Sequence, residues 1–423
     1  MKKRRVMIVT YFWPPSGKAT AHWPVAMSRR LPNLGWEPVI LTIDKDTFAQ
    51  QDLSLTEGVV DPSIRVIRAR SLEPFETYRK FVGKDPSVPL TASEVISREV
   101  GGIRHRIAIW IRMNLFVPDA RVGWYPNAVR AGHAALTENP VDAVLTVGPP
   151  HTVHLVGKTL AKRFGVPHIP VLIDPWVDIV YYRGFRRNPV TVFLDRALEQ
   201  SVLRSSAHAV FVTQTMRADY SGKYSFLQGK SSVIYWGYDE EPFRRLSAPR
   251  KKQRGEVIVH AGNLFDYQNP AQLWKTIGKL VQRGRNIRLV FVGTVGPGVR
   301  ASIAEHGLEG RTDYRGFLPY EEMLKELMHA TYLLVCATEP RHVPGKLFEY
   351  LRTGKPILAY GNDNREVEDI LSETGSGMLF PFSDGAEEFF RRAKRFRPDV
   401  NAAGRYERGN LAGRLVEILE TVV

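Results

Sequence analysis

Short apolar runs that alternate with helical patterns are the feature of this chain that most restricts its fold. Up to Thr213, the strand-like runs are residues 6–10, 38–42, 64–69, 143–147, 168–173 and 209–213. Turn residues bound each run, and longer stretches of helical periodicity separate them. Apolar runs in this arrangement are typical of buried parallel strands. The first part of the chain therefore predicts a doubly wound α/β sheet.

The same alternation begins again after residue 255. Strand-like runs at 257–260, 287–292, 332–335 and 356–359 alternate with helical patterns such as 270–282, 320–329 and 346–353. A chain of 423 residues is long enough for two domains, at about 100–200 residues each. We therefore expect a second doubly wound sheet in the C-terminal half.

Domain boundaries follow from a change in composition. Residues 241–255 contain Pro242, Pro249 and the run Arg250-Lys251-Lys252, without helical or strand periodicity. Such a stretch is typical of a linker. We expect an N-terminal domain at 1–240, a hinge at 241–255 and a C-terminal domain at 256–404.

The final segment, 405–423, carries an apolar helical face. Leu411, Leu415, Ile418 and Leu419 lie on one side of the predicted helix, and that side must be buried against something. We expect the helix to return to the N-terminal domain.

Charge restricts the partners of the chain. Lys and Arg number 59 against 44 Asp and Glu, a formal net charge of +15, which suits diphosphate-bearing substrates or an anionic membrane surface. Nucleic acid is not expected, because no recognition motif and no interleaving of basic and aromatic residues is present.

The single cysteine, Cys336, excludes an internal disulfide and is consistent with a cytoplasmic location. The apolar run 6–13 is interpreted as a first strand and not as a secretion signal.

Ligands of doubly wound sheets bind beyond the carboxyl ends of the strands. The loop after the first strand contains Ser16, Gly17 and Lys18 and leads into a helix. Gly17 allows close approach of the backbone to a ligand, and the helix start favours an anion. A plain turn between strand and helix is the alternative.

Two further strand ends carry candidate side chains. His151 follows the run 143–147, whereas His154, one turn later, is expected to pack against its neighbours. Asp174 follows the run 168–173 and either binds a sugar hydroxyl or caps a turn. No histidine and cysteine cluster and no paired Asp-x-Asp appears where a metal would be held, so no metal site is expected.

The segment 338–350 is the richest in candidate ligands. Pro344 suits a helix start and Gly354 a helix end. Free amides at the start, with Lys346 in the first turn, form an anion site suited to a diphosphate. Glu349, three residues on, lies on the same face and can accept two ribose hydroxyls. A Lys and Glu pair on a solvated helix is the alternative.

Several short motifs occur in a fixed order over nearly the whole chain. They are Tyr-Phe-x-Pro-Pro-Ser-Gly at 11–17, Leu-Gly-Trp-x-Pro-Val-x-Leu-Thr at 34–42, Pro118-Asp119 with Gly123-Trp124, Gly148-Pro149-Pro150-His151, Asp174-Pro175-Trp176, Gly237-Tyr238-Asp239, and Pro-Gly-Lys-Leu-Phe-Glu-Tyr-Leu at 344–351 with Gly-Lys-Pro-Ile at 354–357. The ordered set resembles the retaining glycosyltransferases of family four, especially bacterial members that build surface polysaccharides and glycolipids.

The resemblance implies a GT-B fold, with two Rossmann-like domains facing a central cleft. It implies a metal-independent hexosyltransferase without a cofactor, which moves a sugar from a nucleoside diphosphate donor, UDP-linked in preference to GDP-linked, to a glycan or a lipid-linked acceptor. The implied donor-binding residues are Glu349, Lys346, Gly345, Arg341, Leu347, Asn263, Gly262, Gly316, Phe317 and Leu318. The implied acceptor-binding residues are Ser16, Lys18, His151 and Asp174, and the implied catalytic residues are Lys346, His151 and Gly17.

The chain departs from the family pattern at some of these positions. Arg341 stands where the family has the first glutamate of its Glu-x7-Glu motif, and residues 262–269 lack the usual Arg and Lys. A GT-B binding protein that has lost catalysis is one alternative. A non-hydrolysing sugar-nucleotide epimerase is another, and it would need acid and base groups in the cleft.

Residues 103–116 predict a basic amphipathic helix. One face carries Ile103, Ile107, Trp110, Ile111 and Leu115, flanked by Arg104, Arg106 and Arg112. This pattern favours peripheral attachment to an anionic membrane, which would be the inner face of the cell membrane. A helix packed into the core is the alternative.

Overall fold

The computed structural model describes residues 3–45, 61–71, 103–179, 187–246 and 255–423. The chain divides into two compact units. The first unit comprises Met1–Ile234 together with Ala412–Val423, and the second unit comprises Tyr235–Leu411.

The first unit is built on a parallel sheet of seven strands. They are β1 (Arg4–Thr10), β2 (Trp36–Ile43), β3 (Arg65–Ala69), β4 (Ala143–Gly148), β5 (His168–Leu172), β6 (Ala209–Phe211) and β7 (Ser231–Val233). Their order in the sheet is β3-β2-β1-β4-β5-β6-β7. In register, Val9 pairs with Leu41 on one side and with Thr146 on the other. The strand order reverses direction between β1 and β4, which makes the ends of these two strands the expected ligand position.

The described helices of the first unit connect these strands. They are α1 (His22–Arg30), α2 (Ile103–Asn114), α3 (Tyr125–Glu138), α4 (Thr152–Phe164), α5 (Pro189–Ser205) and α6 (Gln214–Lys223). One face of the sheet packs on α3 and α4 through a core that includes Met7, Val9, Val144, Val156 and Leu160. These apolar strands are buried on both faces, which explains their nearly continuous hydrophobic sequence.

The second unit repeats the architecture with six parallel strands. They are β8 (Glu256–Ala261), β9 (Ile287–Val292), β10 (Thr312–Gly316), β11 (Tyr332–Cys336), β12 (Ile357–Tyr360) and β13 (Gly377–Phe380), in the order β10-β9-β8-β11-β12-β13. The described helices are α7 (Glu240–Arg245), α8 (Ala271–Gln282), α9 (Pro297–Glu305), α10 (Tyr320–His329), α11 (Lys346–Thr353), α12 (Arg365–Glu373), α13 (Glu387–Arg392) and α14 (Val400–Ala403). Apolar clusters cover both faces of this sheet.

The last helix, α15 (Arg408–Val422), begins in the second unit and continues into the first. Leu411, Leu415 and Leu419 are fully buried along it, as the apolar face predicts. Residues 412–423 group with the first unit. The chain thus leaves the first unit after Ile234 and returns to it at Ala412.

The structure confirms the two doubly wound sheets but differs from the expected linker at 241–255. The boundary between the units lies after Ile234, and residues 240–245 form α7. Asp239 caps α7 by accepting from the Glu241 amide at 3.2 Å, and Phe243 is buried. The carboxylate cap, the buried Phe243 ring and the ion pair between Glu240 and Arg352 order this short, charged segment. Residues 247–254 of the expected linker lie outside the described residues.

Candidate functional site

In the second unit, the reversal of strand order lies between β8 and β11, and Lys346 reaches this point. Its Nζ lies 3.4 Å from Nε2 of His260, which is in β8. Gly262 follows β8 with φ of 98°. A Cβ atom at Gly262 would lie only 2.6 Å from Nζ of Lys346. The glycine therefore leaves the space that the ammonium group occupies at the carboxyl ends of the strands.

The surroundings of Lys346 destabilise the charged form of its amino group. Burial lowers the pKa of Lys346 to about 8, and the nearby Cys336 and Glu349 offset this only in part. Burial also lowers the pKa of His260 to about 3, with a further contribution from Lys346. The imidazole is therefore neutral near pH 7, while Lys346 is mostly charged and poorly solvated. A desolvated ammonium gains strongly from an anionic ligand.

Glu349 lies one turn after Lys346 on α11 and is 9% exposed. Burial raises the pKa of its carboxyl group to about 7, against the opposing effects of Arg408 and of a hydrogen bond from Tyr320. Arg408 is itself buried, and its Nε donates to the Trp236 carbonyl at 3.3 Å. The Tyr320 hydroxyl and the Arg408 charge thus act on a carboxyl group that is close to its midpoint of ionisation at neutral pH.

Three glycines line the neighbouring strand ends. Gly262, Gly293 and Gly316 all have positive φ, and the Gly293 amide donates to the Gly316 carbonyl at 2.7 Å. A Cβ at Gly293 would lie 2.7 Å from the carbonyl carbon of Gly262. The strand ends therefore expose backbone without side chains. Phe317, directly after Gly316, is 88% exposed, whereas Leu318 packs against the core.

The loop after β8 uses its polar groups internally. Asp266 accepts from the amides of Gly298 and Val299, at 2.8 and 3.2 Å, and so caps α9. Asn263 accepts from the Thr294 amide at 3.2 Å. The segment that lacks Arg and Lys therefore stabilises the adjoining helix.

One predicted donor-binding residue, Leu347, is placed differently by the structure. The side chain of Leu347 is fully buried in the core, and its amide donates to the Pro344 carbonyl at 2.9 Å. Leu347 therefore has no free polar group for a donor. Arg341 is exposed. The helix also begins at Lys346, with Gly345 as its N-cap, and not at Pro344, whereas Gly354 ends it in the left-handed conformation as expected.

Gly345 is approached closely by an aromatic ring. A Cβ at this position would lie 2.8 Å from Cδ1 of Trp236. Trp236 thus lies against the start of α11, although it is distant in sequence. The site therefore includes residues that sequence reasoning missed: Trp236, His260, Tyr320 and Arg408. Of these four residues, only His260 is recognisable from the sequence, because it is a polar residue inside an apolar strand.

In the first unit, His151 lies just beyond β4 and is 5% exposed. Its ring stacks on Trp176, with centroids 4.8 Å apart and planes 7° apart. Neither ring nitrogen has a hydrogen-bond partner in the part of the chain that the structure describes. Burial lowers the pKa of His151 to about 3, opposed in part by the Pro175 backbone. His151 is a neutral, rigidly held group with unused hydrogen-bonding capacity.

Asp119 fixes the helix start that carries His151. Its two carboxylate oxygens accept from the amide and from the hydroxyl of Thr152, each at 2.9 Å. His154 is fully buried, and its Nδ1 lies 2.7 Å from Oγ1 of Thr146. This agrees with the packing role expected for His154.

Buried carboxylates hold Trp176 in place under His151. The indole nitrogen donates to Asp195 at 2.7 Å, and Arg187 pairs with the same carboxylate. Tyr220 donates to Glu199 and accepts from the Trp176 amide, both at 2.8 Å. This network makes the stacked pair rigid, and the sequence did not reveal it.

The first loop is only partly as predicted. Ser16 is fully buried, and its hydroxyl accepts from the Lys18 amide at 3.4 Å. It stabilises the loop and does not present a hydroxyl to an acceptor. Gly17 is half-buried and Lys18 is exposed, before the short helix Ala19–Ala21. Asp174 is half-buried at the end of β5.

Within the described ranges, no group of three or more His, Cys, Asp or Glu side chains is arranged to hold a metal ion. Among the described helices, none is both long and apolar enough to cross a membrane.

Residues 255–397 match the family model described as Glycosyl transferases group 1. The chain is also similar to a 2-deoxystreptamine glucosyltransferase from Streptomyces kanamyceticus, with 25% identity over 221 residues, which are 49% of this chain and 56% of that protein. The match thus spans little more than half the length of this relative.

Solved structures of the same fold cover nearly the whole chain. One is HepE from Anabaena in complex with UDP and glucose, with a TM-score of 0.60, 13% identity, and coverage of 99% of this chain and 100% of that chain. Another is a UDP-N-acetylglucosamine 2-epimerase, with a TM-score of 0.53, 15% identity, and coverage of 99% and 96%. At these identities the likeness concerns the fold alone, and it agrees with the expected GT-B class.

Proposed function

We propose that this protein is a glycosyltransferase that moves a sugar from a nucleoside diphosphate donor bound to the second unit. The observation that carries the proposal is the Lys346 ammonium at the reversal point of the sheet, in the space left by Gly262 and 3.4 Å from Nε2 of His260. Glu349 lies one turn away on the same helix, inside the region that matches the glycosyl transferases group 1 model. A cation and a carboxylate so placed suit a diphosphate and a ribose, respectively.

The donor would lie across the ends of β8, β9 and β10. Lys346 neutralises the diphosphate, and Glu349 accepts hydrogen bonds from the ribose hydroxyls. The open backbone at Gly262, Gly293 and Gly316 leaves room for the base beside Phe317. We propose UDP as the nucleotide, since HepE, which shares the fold, was solved with UDP and glucose.

We propose front-face transfer with retention. The bond between the anomeric carbon and the diphosphate oxygen breaks, and the acceptor oxygen bonds to the same face of that carbon. The acceptor proton passes to the leaving diphosphate, so no protein nucleophile is required. Lys346 stabilises the charge that grows on the leaving group, an electrostatic effect worth about 3–4 kcal/mol for a well-placed donor. It performs the role that a metal ion has in other transferases.

His151, Asp174, Gly17 and Lys18 of the first unit would bind the sugar and the acceptor. The neutral ring of His151 can donate one hydrogen bond and accept another, which matches a sugar hydroxyl. Its low pKa excludes it as a strong base at neutral pH. Arg341 and Gly345 would contact the donor near its diphosphate.

A panel of nucleotide sugars with glycan and lipid-linked acceptors tests this function. We expect product and free UDP from one donor, with unchanged turnover after EDTA treatment, because Lys346 and backbone amides balance the diphosphate charge. Conversion of the donor into its epimer without any acceptor, with the sugar still attached to UDP, would instead indicate a non-hydrolysing epimerase. Nucleotide binding without turnover would indicate a binding protein, and loss of activity in EDTA that magnesium restores would contradict the metal-free mechanism.

We further propose peripheral attachment of the first unit to an anionic membrane, which suits a lipid-linked acceptor. On α2, Ile107 and Trp110 are 44% and 50% exposed, and Leu115 just beyond it is 64% exposed. The side chains of residues 103–106 lie outside the described residues. Ile111 is half-buried, while Met113 and Asn114 are buried, so α2 packs through only part of its surface.

The beginning of α5 extends this apolar surface. Val190, Phe193 and Leu194 are 63%, 70% and 47% exposed. Asn114 joins the two helices, because its side chain accepts from the Asn188 amide at 2.5 Å and its carbonyl accepts from the Thr191 hydroxyl at 2.9 Å. Residues 103–116 and 187–198 contain one acidic residue. It is Asp195, which is buried and paired with Arg187. The exposed charge of these segments is therefore basic, which favours an anionic surface.

Co-sedimentation with vesicles tests the attachment. We expect the protein to pellet with phosphatidylglycerol-containing vesicles at low salt and not with pure phosphatidylcholine, since each arginine near an anionic surface contributes about 1 kcal/mol. Replacing Arg104, Arg106 and Arg112 by Glu should abolish pelleting, and a Phe193→Ser variant should weaken it. Equal, negligible pelleting on both vesicle types, with an unchanged triple variant, would contradict the proposal.

A further inference from the structure

We infer that His260 is a positioning residue that holds the Lys346 ammonium ready for the donor diphosphate. The inference deepens the proposed function and rests on it for the identity of the ligand. The contact itself belongs to the protein and can be tested without turnover.

The ring of His260 interacts with the backbones of Leu334 and Asn263 and with Lys346. Nδ1 lies 2.9 Å from the Leu334 carbonyl on the neighbouring strand β11. A carbonyl oxygen only accepts, so Nδ1 carries the proton. Nε2 is then an unprotonated acceptor, and it faces Nζ of Lys346 at 3.4 Å. The main chain of β11 thus determines the tautomer that can accept from the lysine.

The imidazole is fixed in position and in charge. His260 is 1% exposed, and its pKa of about 3 keeps it neutral throughout the range in which Lys346 titrates. Three groups lie at or act on the Lys346 ammonium: Cys336 on β11 and Glu349 on α11 favour its charged form, and Nε2 of His260 on β8 lies 3.4 Å from it. Cys336 is also buried, with a pKa raised to about 12. The Cys336 thiol is also neutral but is a weak acceptor, so His260 is the neutral nitrogen acceptor that positions the ammonium.

A positioned lysine has a smaller entropy cost on binding. A free lysine side chain has about 2 kcal/mol of rotamer entropy to lose when it is ordered. Contact with Nε2 and the space left by Gly262 place Nζ before the ligand arrives. Because acceptance from an ammonium favours its charged form, loss of His260 should also lower the pKa of Lys346 further.

Two substitutions separate the two nitrogens. His260→Asn keeps a donor for the Leu334 carbonyl but removes the acceptor for Lys346, while His260→Gln has an amide oxygen that can extend toward Lys346. His260→Leu removes both partners. His329→Leu, in the half-buried His329 of α10, is the control.

The first measurement is the pH dependence of Lys346 acetylation by acetic anhydride, followed by mass spectrometry. We expect the midpoint to lie near pH 8 in the native protein and in the His329→Leu control, and to fall in the Asn and Leu variants. The Gln variant should lie closer to the native value. The second measurement is UDP binding by calorimetry, which we expect to weaken about tenfold in the Asn variant.

The outcomes are distinguishable. An unchanged acetylation midpoint in the Asn variant, in a protein whose thermal unfolding matches the native one, would overturn the positioning role. If the Leu variant does not fold, the Asn and Gln variants still decide the question. A shifted midpoint without any UDP binding in the native protein would leave the contact established and refute the proposed donor.

Discussion

Replacing Lys346 with methionine is expected to lower kcat/KM for the donor by about 100-fold. Methionine keeps most of the apolar stem but removes the ammonium that would face the diphosphate, and a hydrogen bond to a charged group contributes about 1.5–3 kcal/mol. Helix α11 should persist, because the core packing of Leu347 and Tyr350 is untouched. Steady-state kinetics and UDP titration measure the effect.

The control for this change is Lys275→Met, an exposed lysine on α8. It removes the same charge from the second unit without approaching the strand ends. If both variants lose the same activity, the loss reflects the overall charge of the protein. Native kinetics in Lys346→Met would remove the basis of the proposed donor site.

Replacing Glu349 with glutamine is expected to have two opposite effects. Donor affinity should fall more than tenfold, because a neutral amide accepts more weakly from the ribose hydroxyls than a carboxylate does. Thermal stability without ligand should rise at pH 8. Folding raises the pKa of Glu349 from 4.5 to about 7. At pH 8 the ionised carboxylate therefore destabilises the folded native protein, whereas a glutamine at this position remains neutral and does not.

Because the pKa of Glu349 is raised on folding, the stability difference between the native protein and the glutamine variant depends on pH. Below pH 4.5 the glutamate is protonated in both folded and unfolded chains, and the two proteins should unfold at similar temperatures. Between pH 4.5 and about 7 the unfolded chain ionises first, so the native protein loses stability relative to the glutamine variant. Above pH 7 the difference should be constant. Calorimetric scans at pH 4.5, 6 and 8 measure it; a variant less stable than native at pH 8 would contradict the assignment.

Much of the second-unit site followed from local sequence. A helix start, a helix-ending glycine and two charges three residues apart made Lys346 and Glu349 candidates, and the family resemblance favoured them over a solvated ion pair. The partners Trp236, Tyr320 and Arg408 come from distant segments, and no pattern within one stretch of sequence links them to α11. Leu347 was predicted to bind the donor because it lies between Lys346 and Glu349 in the motif. Its position on the helix places its side chain in the core instead.

The fold was predictable wherever strands are long and apolar. Strands β7 (Ser231–Val233) and β13 (Gly377–Phe380) were missed because three or four residues, with serine or glycine among them, give too short a hydrophobic run. The helix Glu240–Arg245 was missed because its charged sequence has only Phe243 to bury. Edge strands and short caps of this kind depend on tertiary packing more than on local preference.

Because the chain returns to the first unit at Ala412, the two units complete their folding at different times during synthesis. The second unit is an insertion whose two ends adjoin: the Tyr238 amide donates to the Tyr406 carbonyl, and the Arg408 amide donates to the Tyr238 carbonyl. A unit with paired ends can fold as soon as its last residue has emerged from the ribosome. The first unit, by contrast, must wait with part of its apolar surface uncovered until Leu415 and Leu419 emerge from the ribosome. The second unit would therefore mature before the unit whose synthesis began first.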